Sequence, residues 1–315
     1  MNSKINDQHK STQLKNSLTG FSITKHYLVW FAISGVLILT SIIFLLAWGL
    51  HLGIDFRGGT LRDVEFQKAV DPGEMRQSLS GAGFPAIVQP VNERRLIIKT
   101  EPQSEEIQTK LKALLEKNFG QFQELAFESV GPAVGRELVT RAYWQVILVV
   151  LGIVIYISYS FRKIGANARQ FKLSSWKLGL ATIIALMHDL IIPLGVFAWL
   201  GQHRGVEIDS LFVTALLTIL GFSVHDTIVV FDRIRETSQK FSGKSLSVVI
   251  DYSIWSTLAR SINTSSTLIF VLLATLLFGG TTVFYFVLAL LVGVTVGTYS
   301  SIFIASPILY LWQKQ

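Results

Sequence analysis

His225 and Asp226 stand inside an apolar run from Leu211 to Phe231, and the stretch closes on Asp232, Arg233, Arg235 and Glu236. Such a run is long enough to cross a hydrocarbon core of about 30 Å, for which roughly 20 helical residues suffice. Asp226 is the sixteenth residue counted from Leu211, and at about 1.5 Å rise per residue it lies roughly 23 Å into the slab. An isolated ionised carboxylate at that depth costs several kcal/mol, so the group holds a proton, faces a wet cavity or sits beside a cation. The chemistry this position offers is the taking up and release of a proton.

The candidate cation is Arg260, at the head of the next apolar run, Ser261 to Phe278. If the two runs are antiparallel neighbours joined on one side, Asp226 and Arg260 lie at matching depth. The alternative is an Arg260 that snorkels to the headgroups, as long basic side chains near helix ends do. Thr264 follows Arg260 at i+4 and shares its face, with Asn263 and Ser265 adding polarity nearby. His188 and Asp189 stand halfway along a third run, Leu178 to Leu200, as a possible secondary polar site. They handle a proton, or they satisfy each other as a buried pair. His225 points about 100° away from Asp226 on a helix and need not share its site.

The elements that position these residues follow from composition. The 315 residues are half hydrophobic and only 16% charged, a membrane protein's balance. The net charge of +7 sits in short segments between apolar runs, where topology explains it more simply than nucleic-acid binding. The absence of cysteine excludes disulfides, thiolate metal sites and a cysteine nucleophile. Apolar runs at Tyr27–Leu50, Tyr143–Phe161, Leu178–Leu200, Leu211–Phe231, Ser261–Phe278 and Val283–Trp312 predict six transmembrane helices, the first an uncleaved span with Trp30 and Trp48 at its interfaces. The loop from Arg162 to Lys177 carries basic residues and no acid, so it is expected on the cytoplasmic side, with both termini and the half of the membrane holding Asp226 and Arg260.

The expected organisation is a cytoplasmic tail over 1–26, a first span over 27–50, an α+β domain on the outer side over 51–142 and a five-helix membrane domain over 143–315. Within 51–142 the periodicity predicts strands at 60–66, 86–91, 94–100 and 121–129 and helices at 72–82 and 105–118. That order, βαββαβ, is the ferredoxin-like arrangement. Its carboxylates are scattered and form no catalytic constellation, so the chain is read as no enzyme, with no cofactor and no metal site. The segment Gly53 to Thr60 (GIDFRGGT) lacks the Gly-Lys-Ser/Thr ending of a phosphate loop. Its Gly58 and Gly59 suit a sharp turn or hinge where a span meets the domain. With no ATP motif in the chain, the available energy source is an ion gradient. Ala289, Gly293 and Gly297 form a small-residue stripe of the kind that lets helices approach closely.

Five segments together resemble the SecD/SecF family of bacterial protein-export membrane proteins. They are Gly53–Thr60, Ser129–Leu138 (SVGPAVGREL), Ala185–Asp189 (ALMHD), Gly221–Glu236 (GFSVHDTIVVFDRIRE) and Arg260–Ser265 (RSINTS). The resemblance implies an α-helical polytopic membrane protein, a six-span half of the resistance-nodulation-division type, with a periplasmic domain after the first span. It implies pairing with SecD in the bacterial cytoplasmic membrane beside the SecYEG channel, and use of the proton-motive force to help complete export of unfolded polypeptides. By motif it makes Asp226 the essential intramembrane acid and Arg260 its basic counterpart, with Thr264 one turn on along the same proton pathway. His225 stands where the family pattern often has Asn. Two other readings stand beside this one: half of a proton-driven small-molecule exporter, and a purely structural partner that stabilises a channel.

Overall fold

The computed structural model describes residues 22–160, 175–241 and 244–314. Residues 1–21 of the expected tail and most of the basic 162–177 loop lie outside the described residues. The chain divides into two compact units: a helical unit, made of the residues up to Leu50, Val146–Val206 and those from Thr214 onward, and a sheet unit, made of His51–Gln145 and Glu207–Val213.

A 3-10 turn, Thr24–His26, leads into helix α1, Tyr27–Trp48. The sheet unit follows with a short helix α2, Ile54–Arg57, and strand β1, Gly59–Phe66. Next come helix α3, Pro72–Gly81, strands β2, Ala86–Pro90, and β3, Arg95–Thr100, helix α4, Glu105–Phe119, and strand β4, Phe122–Val130. The four strands form one antiparallel sheet in the order β2-β3-β1-β4. Local chemistry fixes the boundaries. Asp71 accepts the Glu74 N–H at 2.8 Å and Pro72 opens α3, an N-cap followed by a pre-set φ. Asn92 accepts from Arg94 and Arg95 N–H and turns the β2–β3 hairpin. The helices and one sheet face bury Val64, Phe66, Met75, Leu79, Val88, Leu96, Ile98, Leu111 and Leu115 in a common core.

Gly58 and Gly59 make the turn into β1. Gly58 has φ 79°, and a Cβ there would lie 3.1 Å from Pro132; one on Gly59, φ 153°, would lie 2.9 Å from the Thr100 carbonyl. The rest of the glycine-rich segment grips the loop before the fourth long helix. Gly53 N donates to Ile208 O at 2.8 Å and Ile208 N to His51 O at 2.7 Å, while Lys99 pairs with Glu207 at 2.7 Å.

Helix α5, Pro132–Ser160, begins inside the sheet unit, well before the expected span at Tyr143, because Pro132 sits at a first-turn position where its missing N–H is harmless. Then come α6, Ser175–Arg204, α7, Ser210–Lys240, α8, Leu246–Phe278, and α9, Thr281–Ser300. A π-helical segment, Ser301–Ala305, links α9 to α10, Ser306–Lys314. Among the described residues six helical stretches are long and apolar enough to cross a membrane, in the positions of the six expected spans. Two run well past their apolar cores: α7 continues to Lys240, and α8 starts at Leu246, fifteen residues before the apolar run at Ser261.

In the helical unit α1 packs on α6 so closely that a Cβ on Gly195 would collide with Ser41. The small-residue stripe of α9 faces α7: Gly293 lies against Ile219 and Gly297 against Ser223. Ser22 and Thr24 are held by Asp251 near the start of α8. Its buried carboxylate accepts Ser22 Oγ at 2.5 Å, Thr24 N at 2.9 Å and Thr24 Oγ1 at 2.9 Å. These contacts tie the residues just ahead of the first apolar run to α8.

Two carboxylates meet at the N-terminus of α7. Asp209 accepts the Phe212 N–H at 2.8 Å, and Asp55 of the glycine-rich segment accepts the Ser210 N–H at 2.9 Å. Burial is the largest influence on Asp209 and raises its pKa above the usual carboxylate value, against the lowering effect of the Phe212 N–H. A raised carboxyl favours the folded state when protonated, so its contribution is full below the ordinary value and falls as pH rises through the raised one. Asp209→Asn keeps a capping side chain and removes the desolvated charge. It is expected to raise the thermal midpoint of the purified protein at neutral pH relative to wild type and to flatten its decline with pH. Asp55→Ala is expected to cost about 1 kcal/mol of local stability, read as faster amide exchange at Ser210–Val213.

Candidate functional site

Asp226 projects from α7 and is 6% exposed. Its two oxygens are held by hydroxyls from two other elements: Ser261 Oγ of α8 donates to Oδ1 at 2.6 Å, and Ser301 Oγ of the π segment donates to Oδ2 at 2.9 Å. One turn along, Ser265 of α8 meets Thr298 of α9 at 2.6 Å, so α8 and the last long helix are tied at two levels. Beside the acid, the Thr227 hydroxyl is buried without a hydrogen-bond partner among the described residues.

Arg260 does not meet Asp226. Its side chain is exposed, and among the described residues no ion pair joins it to a carboxylate. The reason is rotational: neighbours on a helix point about 100° apart, and Ser261 takes the position facing α7. Arg260 instead lines an open cavity of about 410 Å³ between α7 and α8, with Asp232, Arg233, Glu236 and Ser256 on its rim. Arg233 is held there by Glu236 at 2.6 Å and Ser256 at 2.9 Å. Thr264 and Asn263 are exposed, and the Thr264 hydroxyl donates to the Arg260 carbonyl on its own helix. His225 is exposed, on a different face of α7 from Asp226.

His188 and Asp189 of α6 form a second node. Their side chains are 1% and 0% exposed, with Nδ1 2.9 Å from Oδ1. Asp189 Oδ2 accepts from Ser300 of α9 at 2.7 Å and from Ser223 of α7 in a short hydrogen bond. His188 Nε2 lies 3.1 Å from Ser34 Oγ of α1. A side chain at Gly297 would crowd this node, since a Cβ there would lie 3.1 Å from Ser223 Cβ and 3.6 Å from Asp189 Oδ2.

The two nodes are adjacent along two chains at once. Ser223 and Asp226 share a face of α7 at i, i+3. Ser300 and Ser301 are consecutive residues, one on each acid. Pro307 accounts for the backbone at this point: it has no N–H to offer four residues back, and its ring crowds that carbonyl, so the helix widens to a π turn before it. Ser306 Oγ then donates to the Ser301 carbonyl at 3.2 Å. Sequence reasoning found both acids and missed the serines that hold them. The available signal was a Ser-Ser pair shortly before a proline inside an apolar run, and a serine three residues ahead of Asp226.

Six helices of this length and hydropathy make the chain a polytopic membrane protein, with ionisable side chains buried among its helices. Comparison narrows the class. The model of the protein export membrane protein SecD/SecF C-terminal region matches residues 110–315, and that of the SecD/SecF GG motif matches residues 43–70. Protein translocase subunit SecF of Thermobaculum terrenum is 46% identical over 299 residues, covering 91% of this chain and 92% of that protein. The SecF subunit of Anaerolinea thermophila is 38% identical over 295 residues, covering 92% and 93%. The crystal structure of SecDF, a translocon-associated membrane protein from Thermus thermophilus, superposes with a TM-score of 0.81 at 32% identity. SecDF in a super-membrane-facing form superposes with a TM-score of 0.66 at 31% identity. This chain spans 39% of each of those SecDF chains. It belongs to the SecD/SecF family of protein-export membrane proteins, in its SecF branch.

Removing one hydroxyl from a buried carboxylate leaves an acceptor unsatisfied, which costs about 1–3 kcal/mol. Ser261→Ala and Ser301→Ala are each expected to lower the unfolding free energy in detergent by that amount, read from denaturant titration. Asp226→Asn should blunt the effect, and a double-mutant cycle measures the coupling.

Proposed function

We propose that this chain is the SecF subunit of a protein translocase accessory complex in the bacterial cytoplasmic membrane. Paired with SecD beside SecYEG, it uses the proton-motive force to promote late steps in export of unfolded polypeptides. The observation that carries the reading is Asp226, a carboxylate inside a membrane helix held by two hydroxyls and, among the described residues, by no cation. An ionised carboxylate only accepts hydrogen bonds, and a protonated one must also donate. Protonation of Asp226 therefore forces Ser261 or Ser301 to give up its donation and turn, which loosens α8 or the π segment from α7. A charge change that biases a packed element between two arrangements is the general form of such switches. One proton crossing 100 mV supplies about 2.3 kcal/mol, enough to choose between packings of similar energy.

Arg260 fits this reading as a group that serves a second arrangement or a second chain. An exposed guanidinium with no ion pair among the described residues, flanked by Asn263 and Thr264 on the same stretch of α8, offers a polar face to a carboxylate of the SecD partner. The exposed apolar side chains of α5, Ile147, Leu148, Leu151 and Ile155 among them, suit lipid or that same partner. The sheet unit, with its βαββαβ order, is read as a ferredoxin-like domain on the periplasmic side, both termini being cytoplasmic, and as the part that engages the emerging polypeptide.

The test follows late-stage release of an exported protein in inverted vesicles containing the translocase, with and without a proton gradient, for wild type and Asp226→Asn. The variant is expected to remain in the membrane with its partner and to lose the gradient's benefit. An equal response of both proteins would make Asp226 a structural polar residue, and accumulation of a small molecule dependent on Asp226 would favour the exporter reading.

A further inference from the structure

His188 and Asp189 take no part in the reading above, yet they are the most deeply buried ionisable pair among the described residues, with side chains 1% and 0% exposed. The hydrogen bonds around them carry a count of the protons they hold. Tyr299 Oη donates its only hydrogen to the Trp30 carbonyl at 3.0 Å. Ser34 Oγ donates its own to Tyr299 Oη at 3.3 Å. With that hydrogen on Tyr299, His188 Nε2, 3.1 Å from Ser34 Oγ, is the donor of its own contact. On the other side Nδ1 lies 2.9 Å from Asp189 Oδ1, a contact that also needs a hydrogen. Asp189 Oδ2 already accepts from Ser223 and Ser300 and carries none. Satisfying every contact at once requires one hydrogen on Nε2 and a second between Nδ1 and Oδ1. That is one proton more than a neutral histidine beside an ionised aspartate, whichever of the two atoms holds it.

The pair is then neutral as a whole, the state that a low-dielectric surrounding favours. Among the described residues no other charged side chain is bonded to it. The described residues facing it are Ser34 from α1, Ser223 from α7 and, from α9, Gly297, Ser300 and Tyr299, whose ring stacks 6.1 Å from the imidazole. Tyr299 is the one other titratable group among them. The route to Asp226 is short: Ser300 holds Asp189 while Ser301, the next residue, holds Asp226, and Ser223 stands one turn from Asp226 on α7.

We infer that His188 and Asp189 form a second proton-holding site in the membrane core, coupled to Asp226 through the Ser300–Ser301 pair and through Ser223. The proton lost or gained at one node turns a serine whose neighbour is bonded to the other node, so each site senses the other's charge. The inference rests on the reading of Asp226 as a proton-binding acid.

The test uses the full chain with its partner in lipid nanodiscs, histidine-labelled for nitrogen NMR and examined in parallel for the infrared band of a protonated carboxyl. Signals are assigned by their loss in His188→Gln and Asp189→Asn; His188→Gln keeps a donor toward Ser34 and is the variant better suited to folding. At neutral pH the wild type is expected to show either a histidine ring protonated on both nitrogens or a protonated carboxyl that vanishes in Asp189→Asn. The pH at which this proton leaves is expected to differ by about one unit in Asp226→Asn, roughly a tenfold change in proton affinity. A ring with one N–H together with no protonated carboxyl overturns the inference, as does a titration that Asp226→Asn leaves unmoved. Failure of the export reading shows differently, as gradient-dependent release that persists in Asp226→Asn whatever the state of His188.

Discussion

A carboxylate enclosed by membrane helices accepts hydrogen bonds and, when ionised, gives none, while the backbone N–H groups of its own helix are already committed. Its donors arrive mostly as side chains from other helices. Serine is the smallest residue that brings a hydroxyl without forcing the helices apart, and serines are what the fold supplies, at Ser223, Ser261, Ser300 and Ser301. Each acid is therefore also a cross-link. Asp189 joins α6 to α7 and α9, and Asp226 joins α7 to α8 and the π segment. The packing of the helical unit and the satisfaction of its charges are one constraint, and Gly297 belongs to it because a side chain there would crowd Ser223 and Asp189.

The π segment shows how the constraint reaches the backbone. In an uninterrupted α-helix Pro307 would strain the turn before it. The wider turn relieves that strain where Ser300 and Ser301 must serve different acids, and Ser306 returns a hydrogen bond to the Ser301 carbonyl. Wide turns of this kind recur at functional sites. Here the turn lies within one residue of both carboxylates.

Much of this was legible in the chain. The six apolar runs and the strand and helix pattern of residues 59–130 follow from hydropathy period, Asp71-Pro72 and the Asn92 turn, because those signals are local. Asp226 and Asp189 were legible because an acid in an apolar run is conspicuous. The partner of Asp226 was not. An apolar run marks where a helix meets lipid, and α8 begins fifteen residues earlier, so hydropathy gave the depth of residues 260 and 261 but not their rotation. That rotation decides between an arginine and a serine. The anchoring of Thr24 by Asp251 was hidden for another reason: the two are 227 residues apart in sequence, and no pattern along the chain links them.

That separation bears on how the molecule is made. Ribosomes deliver roughly 5–20 residues per second, so Asp251 leaves the tunnel on the order of 10–45 s after Thr24. Through that interval the leading end of α1 is without Asp251, and Ser34 likewise waits for His188, 154 positions behind it. The N-terminal clasp closes only once α8 has been made, which places it among the last contacts of the helical unit to form.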